Sequence, residues 1–229
     1  MKKGGTDMKD MKDIVTKDPF YMNDGGKVHF YYDEEDDGYT LCGGLWTHAY
    51  QGYNGCDATE LYIPNTINGK PVLGLDADLF DRMVHLTSFV VEDDHPSFRL
   101  WQGGLYSKDG KQLIRMPLQY RQKVFRVPDS VECIMDSALC NPFIEMLILS
   151  HRCQTIREYG VSCAKNLKTI CLPRSLQSIG FKAFVFTSPQ DVFYEGGEED
   201  REKIELADTG FNVGLINAQW HYQWEWPKE

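Results

Sequence analysis

The sequence predicts an α/β repeat solenoid, and three observations carry that prediction. The first is self-similarity. Pro128, Ser150 and Pro173 fall in one column, spaced by 22 and 23 residues. A period of this length is the mark of stacked supersecondary units. The second is that the columns which follow are apolar: Val131, Cys153 and Leu176, then Ile134, Ile156 and Ile179, then the pairs Ala138-Leu139, Gly160-Val161 and Ala183-Phe184. The third is the end of each unit, Leu147-Ile148-Leu149, Ile170-Cys171-Leu172 and Val192-Phe193-Tyr194. Apolar residues at alternating positions there are what a strand with one face in a core requires.

The other elements follow in chain order. Residues 1–17 mix Lys, Asp, Gly and Met without an apolar period and read as a flexible arm. Residues 18–58 read as an N-terminal β cap, with an aromatic strand before the acidic turn Asp33–Gly38 and a second strand at Tyr39–Trp46. Such a cap is needed because a terminal repeat has no neighbour to bury its face. Residues 59–229 read as the repeats with a C-terminal cap, the whole forming a single domain. The first repeat strand is Leu61-Tyr62-Ile63, and Leu75, Leu79 and Phe80 fill the core columns after it. A short helical turn is expected from Asp78 to Met83, and Phe89-Val90-Val91 is the next strand. The interval from Val91 to Val127 is then 36 residues. Two alternating runs flank Asp109-Gly110 in it, a strong hairpin signal. They predict a β-hairpin inserted in one turn and projecting from the side of the solenoid. Glu198 to Ile204 suggests a short helix, and Tyr222 to Trp226 a polar-aromatic tail able to fold over the last repeat.

The segment Leu167 through Phe184 carries a resemblance. Its Leu167, Ile170, Leu172, Pro173, Ser175, Leu176, Ile179, Ala183 and Phe184 fit the pattern L-x-x-I-x-I-P-x-S-V-x-x-I-x-x-x-A-F. The segment resembles the BspA-type leucine-rich repeats of bacterial proteins, over about residues 39–222. Ile63 to Val72 resembles that family's first repeat, and Leu215 to Tyr222 its final strand, with His221 a structural member. The resemblance implies a right-handed superhelix with a parallel concave sheet and short helices or turns on the convex side. It implies a scaffold rather than an activity.

Composition narrows the partners. The formal charge is −10 and the pI near 5.1, which argues against nucleic acid, since phosphate binding needs a basic face. Adsorption on anionic lipid is disfavoured for the same reason. No apolar run reaches the length that spans a membrane. The start Met1-Lys2-Lys3 is like that of a signal peptide but lacks the apolar stretch. The expectation is a cytoplasmic protein if that N-terminus is native, with a secreted or cell-surface protein, its leader removed, as the alternative that the bacterial resemblance implies. Seven cysteines show no C-x-x-C spacing. Cys153, in an apolar column, reads as a reduced buried thiol, which favours a reducing compartment.

Function, on this reading, belongs to the outward positions of the repeat strands. Six strands, ending at Ile63, Val91, Val127, Leu149, Leu172 and Tyr194, would form one parallel sheet. Tyr62, Val90, Arg126, Met146, Ile148, Cys171 and Phe193 would then line a partner-binding stripe. An exposed apolar stripe rich in aromatic and Met residues is the mark of an interface. Coverage by the arm or by a sister chain, or plain strand propensity, explains the same residues. Cys171 is the one thiol expected to be reactive.

Catalytic, metal-binding and cofactor roles find no support. The six His residues have no metal-ligand spacing, the acidic run Asp33–Asp37 lacks that of a calcium loop, and Glu92–His95 falls where the resemblance implies a turn. Gly196 to Asp200 resembles the Gly-Gly-Glu-Glu-Phe signature of cyclic-dinucleotide synthesis but lacks its aromatic residue. His151 stands close in sequence to Cys153, which the register buries. The expected function is non-enzymatic protein–protein binding through the concave sheet face. The alternatives are an adhesin-like surface module for host protein or glycan, with Trp220, Trp224 and Trp226 stacking on sugars, and a self-assembling structural protein.

Overall fold

Strands recur at each turn of the repeat because each turn offers two places where a buried apolar residue sits between outward-facing ones. The computed structural model of the chain describes residues 20–21, 27–42, 59–80, 83–207 and 209–225. They group into two compact units, residues 1–97 and 98–229.

In the second unit the strands Val124–Arg126, Met146–Ile148, Thr169–Leu172, Asp191–Tyr194 and Gln219–His221 form a parallel sheet in chain order, here called the ladder sheet. Phe125, Leu147, Ile170 and Val192 stand in one inward row, each essentially inaccessible to solvent. A second sheet, the flank sheet, runs along the adjoining side. Its parallel members are Gln112–Arg115, Cys133–Ile134, Thr155–Ile156, Ser178–Ile179 and Glu205–Leu206. There Leu113, Ile134, Ile156 and Ile179 point into the same core.

Successive coils are also bonded at the turns. Leu139 N–H donates to Gly160 O at 2.9 Å, and Val161 N–H to Ala183 O at 2.9 Å. The repeat extends to the backbone: Ser137, Tyr159 and Lys182 take φ of 55°, 55° and 52°. These are left-handed conformations, uncommon for residues with a Cβ. Their recurrence at the repeat spacing marks a required bend in each coil.

Buried polar groups finish what the strands leave open. Asn141 is fully buried and donates through Nδ2 to the carbonyls of Pro117, Leu118 and Tyr120 at 3.1, 3.2 and 3.0 Å. Its Oδ1 accepts from Phe143 and Ile144 N–H at 2.8 and 3.2 Å. Asn212, also fully buried, accepts from Phe184 N–H and donates to Gly180 and Ala207 carbonyls.

The strands around Asp109-Gly110 pair antiparallel, Gly104–Ser107 with Gln112–Arg115. Gly110 has φ 74°, and Asp109 Oδ1 accepts from Ser107 Oγ at 2.6 Å. The hairpin does not project, contrary to expectation. Its second arm is a member of the flank sheet, and Phe98–Trp101 adds a further strand outside its first arm. Leu105, Tyr106 and Leu113 are buried. A hairpin free in solvent would have left them wet.

In the first unit Lys27–Asp33 and Gly38–Cys42 pair antiparallel, and Gly38–Cys42 pairs parallel with Lys70–Leu75. Phe30, Tyr39 and Leu41 are buried there. A short 3₁₀ turn occupies Ala77–Phe80, where a helical turn was expected nearby. The repeat strands Glu60–Ile63 and Ser88–Val91 form a two-stranded parallel sheet. The six strands expected in one sheet are thus divided between two, one in each unit. The arm at 1–17 and the segment 43–58 lie outside the described residues.

At the C-terminal end, Glu198–Arg201 is a helical turn and Val213–Ile216 another. The final strand therefore begins at Gln219 rather than at Leu215. Arg201 lies 4.2 Å over the Trp220 ring and donates to Tyr222 Oη at 3.0 Å. Trp220 Nε1 donates to Leu215 O. Trp220 is committed to closing the stack, which leaves it no free sugar platform for the adhesin-like alternative, and Trp226 lies outside the described residues. Gln223 and Trp224 N–H donate to Gly196 and Tyr194 carbonyls, laying the tail along the last coil.

Candidate binding surface

The outward row of the ladder sheet is set by its register. Arg126, Ile148, Cys171, Phe193 and His221 are cross-strand neighbours, and Val124, Met146, Thr169, Asp191 and Gln219 form the row beside them. Strands about 4.8 Å apart force each side chain against the next.

Of the seven residues expected in the binding stripe, five are brought together here: Arg126, Met146, Ile148, Cys171 and Phe193. Tyr62 and Val90 are neighbours in the two-stranded sheet of the other unit, 42 % and 36 % exposed. Tyr62 Oη donates to Glu92 Oε1 at 2.7 Å, and that hydrogen bond raises the phenol above its ordinary range.

Depth separates the five. Arg126 is exposed, Met146 and Phe193 are half-buried, and Ile148 and Cys171 are buried. Burial pushes the Cys171 thiol up to about 12, with Arg126 pulling the other way. Cys171 is therefore not the reactive thiol that its outward position suggested. A short side chain between Ile148 and Phe193 is overtopped by its neighbours, so facing outward does not make it accessible. Ile148 and Cys171 form the floor of the row. Cys153 is fully buried, its thiol also pushed to about 12, as its inward column requires.

Three groups join the surface that the stripe omitted. His221 stacks on Phe193 with ring centroids 4.5 Å apart and places Nε2 2.8 Å from Asp191 Oδ1. Trp224 stands 5.4 Å from Phe193 on another side. Their signal was available for His221, since Phe193 and His221 share a column 28 residues apart. Finally, Glu145 is held between Lys123 and Lys168, both Nζ atoms at 2.8 Å. Those two ammonium groups bring the Glu145 carboxyl down to about 2. Val124, 54 % exposed, lies next to this ion chain.

Residues weighed for chemistry have structural partners. His95 is buried, with Nε2 3.1 Å from Pro64 O and Nδ1 accepting from Ser97 N–H. His151 Nδ1 lies 2.6 Å from Glu195 Oε1. Among the described residues, no helix is long and apolar enough to cross a membrane.

The chain has the leucine-rich-repeat fold. No protein-family model and no curated protein matches it. Among solved structures it is similar to the pneumococcal vaccine antigen PcpA, with a TM-score of 0.51 and 21 % identity over 59 % of this chain and 38 % of that one. It is similar also to a leucine-rich repeat protein from Eubacterium ventriosum, with a TM-score of 0.52 and 15 % identity over 59 % of this chain and 36 % of that one. A leucine-rich cell surface protein from Faecalibacterium prausnitzii aligns with a TM-score of 0.43 and 17 % identity over 67 % of this chain and 52 % of that one. The chain thus spans about a third to a half of the length of these structures. At these identities the likeness is one of fold.

Proposed function

We propose that this is a non-enzymatic repeat protein which binds another protein on the outward face of its ladder sheet. One observation carries the reading: an exposed valine, a half-buried methionine and phenylalanine, and an exposed arginine surround a dry apolar floor. Met, Arg and aromatic residues are those over-represented at interface cores. The rim of Lys123, Glu145, Lys168 and Asp191 supplies the polar edge that a partner would meet around it. The matching partner presents one or two apolar side chains to Val124 and Met146.

A surface-exposed, adhesin-like role is the second reading. It is supported by the shared fold with a vaccine antigen, a description that belongs to that protein. Both readings use the same face. Val124→Glu with Met146→Glu tests them without disturbing the floor. The pair is expected to leave the melting curve unchanged and to remove the partner from affinity captures, while light scattering reads self-association. Capture of the same partner by the double variant rejects the face, and a dimer that the variant dissociates makes the partner a second copy.

A further inference from the structure

The flank sheet carries a second surface, on a different side of the unit and independent of the ladder face. Between its outward side chains and the turns beyond them runs an open groove of about 600 Å³, within the range of small-molecule clefts. Its floor is the Thr155 and Ser178 hydroxyl pair, Ser178 Oγ donating to Thr155 Oγ1 at 3.2 Å. Along one wall, Arg157 Nε lies 3.1 Å from Asp136 Oδ2. Glu205 lines it farther along. Gly180, beside the groove, lets two coils approach closely, since a Cβ there would meet Arg157 backbone at 2.8 Å.

At one end the groove opens onto aromatic rings. Phe181 lines it and is 38 % exposed. Phe211, 47 % exposed, meets Phe181 with ring centroids 5.9 Å apart. Lys182 places its ammonium 4.7 and 4.6 Å from those two rings. The left-handed backbone at Lys182 is part of this arrangement. Partly exposed aromatic rings next to a row of hydroxyl, carboxylate and guanidinium groups form a two-part surface. The rings offer an apolar platform, and the row offers alternating donors and acceptors.

We infer that this groove binds a neutral oligosaccharide, one sugar ring resting its C–H face on Phe181 with Phe211, tilted 67° to it, at the ring's edge, and the adjoining units bonding to Thr155, Ser178 and the Asp136–Arg157 pair. A sugar has one apolar face and a rim of hydroxyls that both donate and accept, which is the complement of this surface. Charge sets the class further. Three carboxylates, on Asp136, Glu158 and Glu205, outnumber the Arg157 guanidinium in the groove and the Lys182 ammonium at its end, so sulfated or uronic-acid chains are disfavoured. A flat apolar ligand would leave the polar row without partners, at a cost in desolvation.

Titration calorimetry with maltohexaose, cellohexaose and hexa-N-acetylchitohexaose tests this, with a heparin hexasaccharide as the anionic counter-probe. At least one neutral probe is expected to bind with Kd of about 1 mM or tighter, shifting the amide resonances of Thr155 and Ser178. Phe181→Ala with Phe211→Ala should weaken it by about tenfold or more with the circular-dichroism melt retained. Val124→Glu with Met146→Glu, on the ladder face, should leave it unchanged. Lys182→Met is the second variant, expected to weaken binding less than the double alanine change. Absence of binding by all three neutral probes, preference for heparin, or full binding by the double alanine variant overturns the inference.

Discussion

Asn141 is the residue whose loss the structure prices most clearly. It is wholly buried and makes five hydrogen-bond contacts, its two amide hydrogens shared among three carbonyls of one loop and its oxygen accepting from the two amides that begin the next stretch. Asn141→Ala leaves Phe143 and Ile144 N–H without an acceptor, and each orphaned buried group costs about 1–3 kcal/mol. The expected loss of unfolding free energy is therefore about 2–6 kcal/mol, a large part of the stability of an ordinary domain. Asn141→Asp separates the donors from the acceptor. It keeps the Oδ that Phe143 and Ile144 use, and replaces the amide that three carbonyls need with an oxygen. A carboxylate buried against carbonyl oxygens has its pKa raised above the unfolded value near 3.9. The sign follows from that shift. Below about pH 3.9 both states are protonated and the charge adds no penalty. As pH rises from there to the folded pKa, the unfolded state ionises first, and stability falls by up to about 1.4 kcal/mol per pH unit. Urea denaturation of the wild type and both variants at pH 4 and pH 7, followed by circular dichroism, reads these terms. The reasoning fails if Asn141→Ala costs less than about 1 kcal/mol. It fails equally if the gap between Asn141→Asp and wild type is the same at both pH values.

Two further outcomes follow from the ladder sheet. Glu145 should titrate at about 2 in the folded protein, so the interaction it makes with Lys123 and Lys168 is present above its ordinary range and lost only as pH falls through about 2. Carbonyl-detected NMR should return that midpoint, and Lys123→Met with Lys168→Met should move it up toward the ordinary 4.5; an unmoved midpoint removes the two lysines as the cause. Thiol labelling of the native protein should leave Cys153 and Cys171 unmodified until the chain unfolds, because both are buried and their thiols are pushed to about 12. Rapid native labelling that disappears in Cys171→Ser would mean that the row is open above its floor.

The inward half of the repeat was legible because periodicity reports direct consequences of packing. Val131, Cys153 and Leu176 share a column and are all buried, as are Ile134, Ile156 and Ile179. What periodicity reports is the side a residue faces. Depth depends on neighbours' sizes, and the misplaced reactivity of Cys171 comes from that difference: Ile148 and Phe193 stand taller on either side of it. The division of the strands was hidden for another reason. Phe89-Val90-Val91 and the strand before Val127 have the same alternation, but hydrogen bonding between strands depends on how the 36-residue interval is spent. That interval went into a sheet-forming hairpin, because Leu105 and Leu113 required burial. Asn141 gave no signal at all. The equivalent positions one and two repeats on are Cys163 and Phe186, so nothing recurs to be read.

Departure from the repeat is therefore as informative as the repeat itself. Inside the coil each column must hold an apolar residue, and chemistry varies little. Outside, one column runs Asp136, Glu158, Phe181, and its neighbour runs Ser137, Tyr159, Lys182. The second keeps its left-handed backbone at all three positions while the side chain changes from hydroxyl to phenol to ammonium. A conformation that disfavours any Cβ is thus maintained for the coil, and the side chain it displays is free to differ. Where those two columns change from acidic and small to aromatic and cationic, Phe181 and Lys182 meet Phe211 at the mouth of the flank groove. The ladder sheet shows the same logic. Ile148 and Cys171, on inner strands of the sheet, are buried, whereas Val124, on its first strand, is 54 % exposed. Both proposed binding surfaces lie where a coil differs from the next, and the core explains only why those differences are held at fixed spacing.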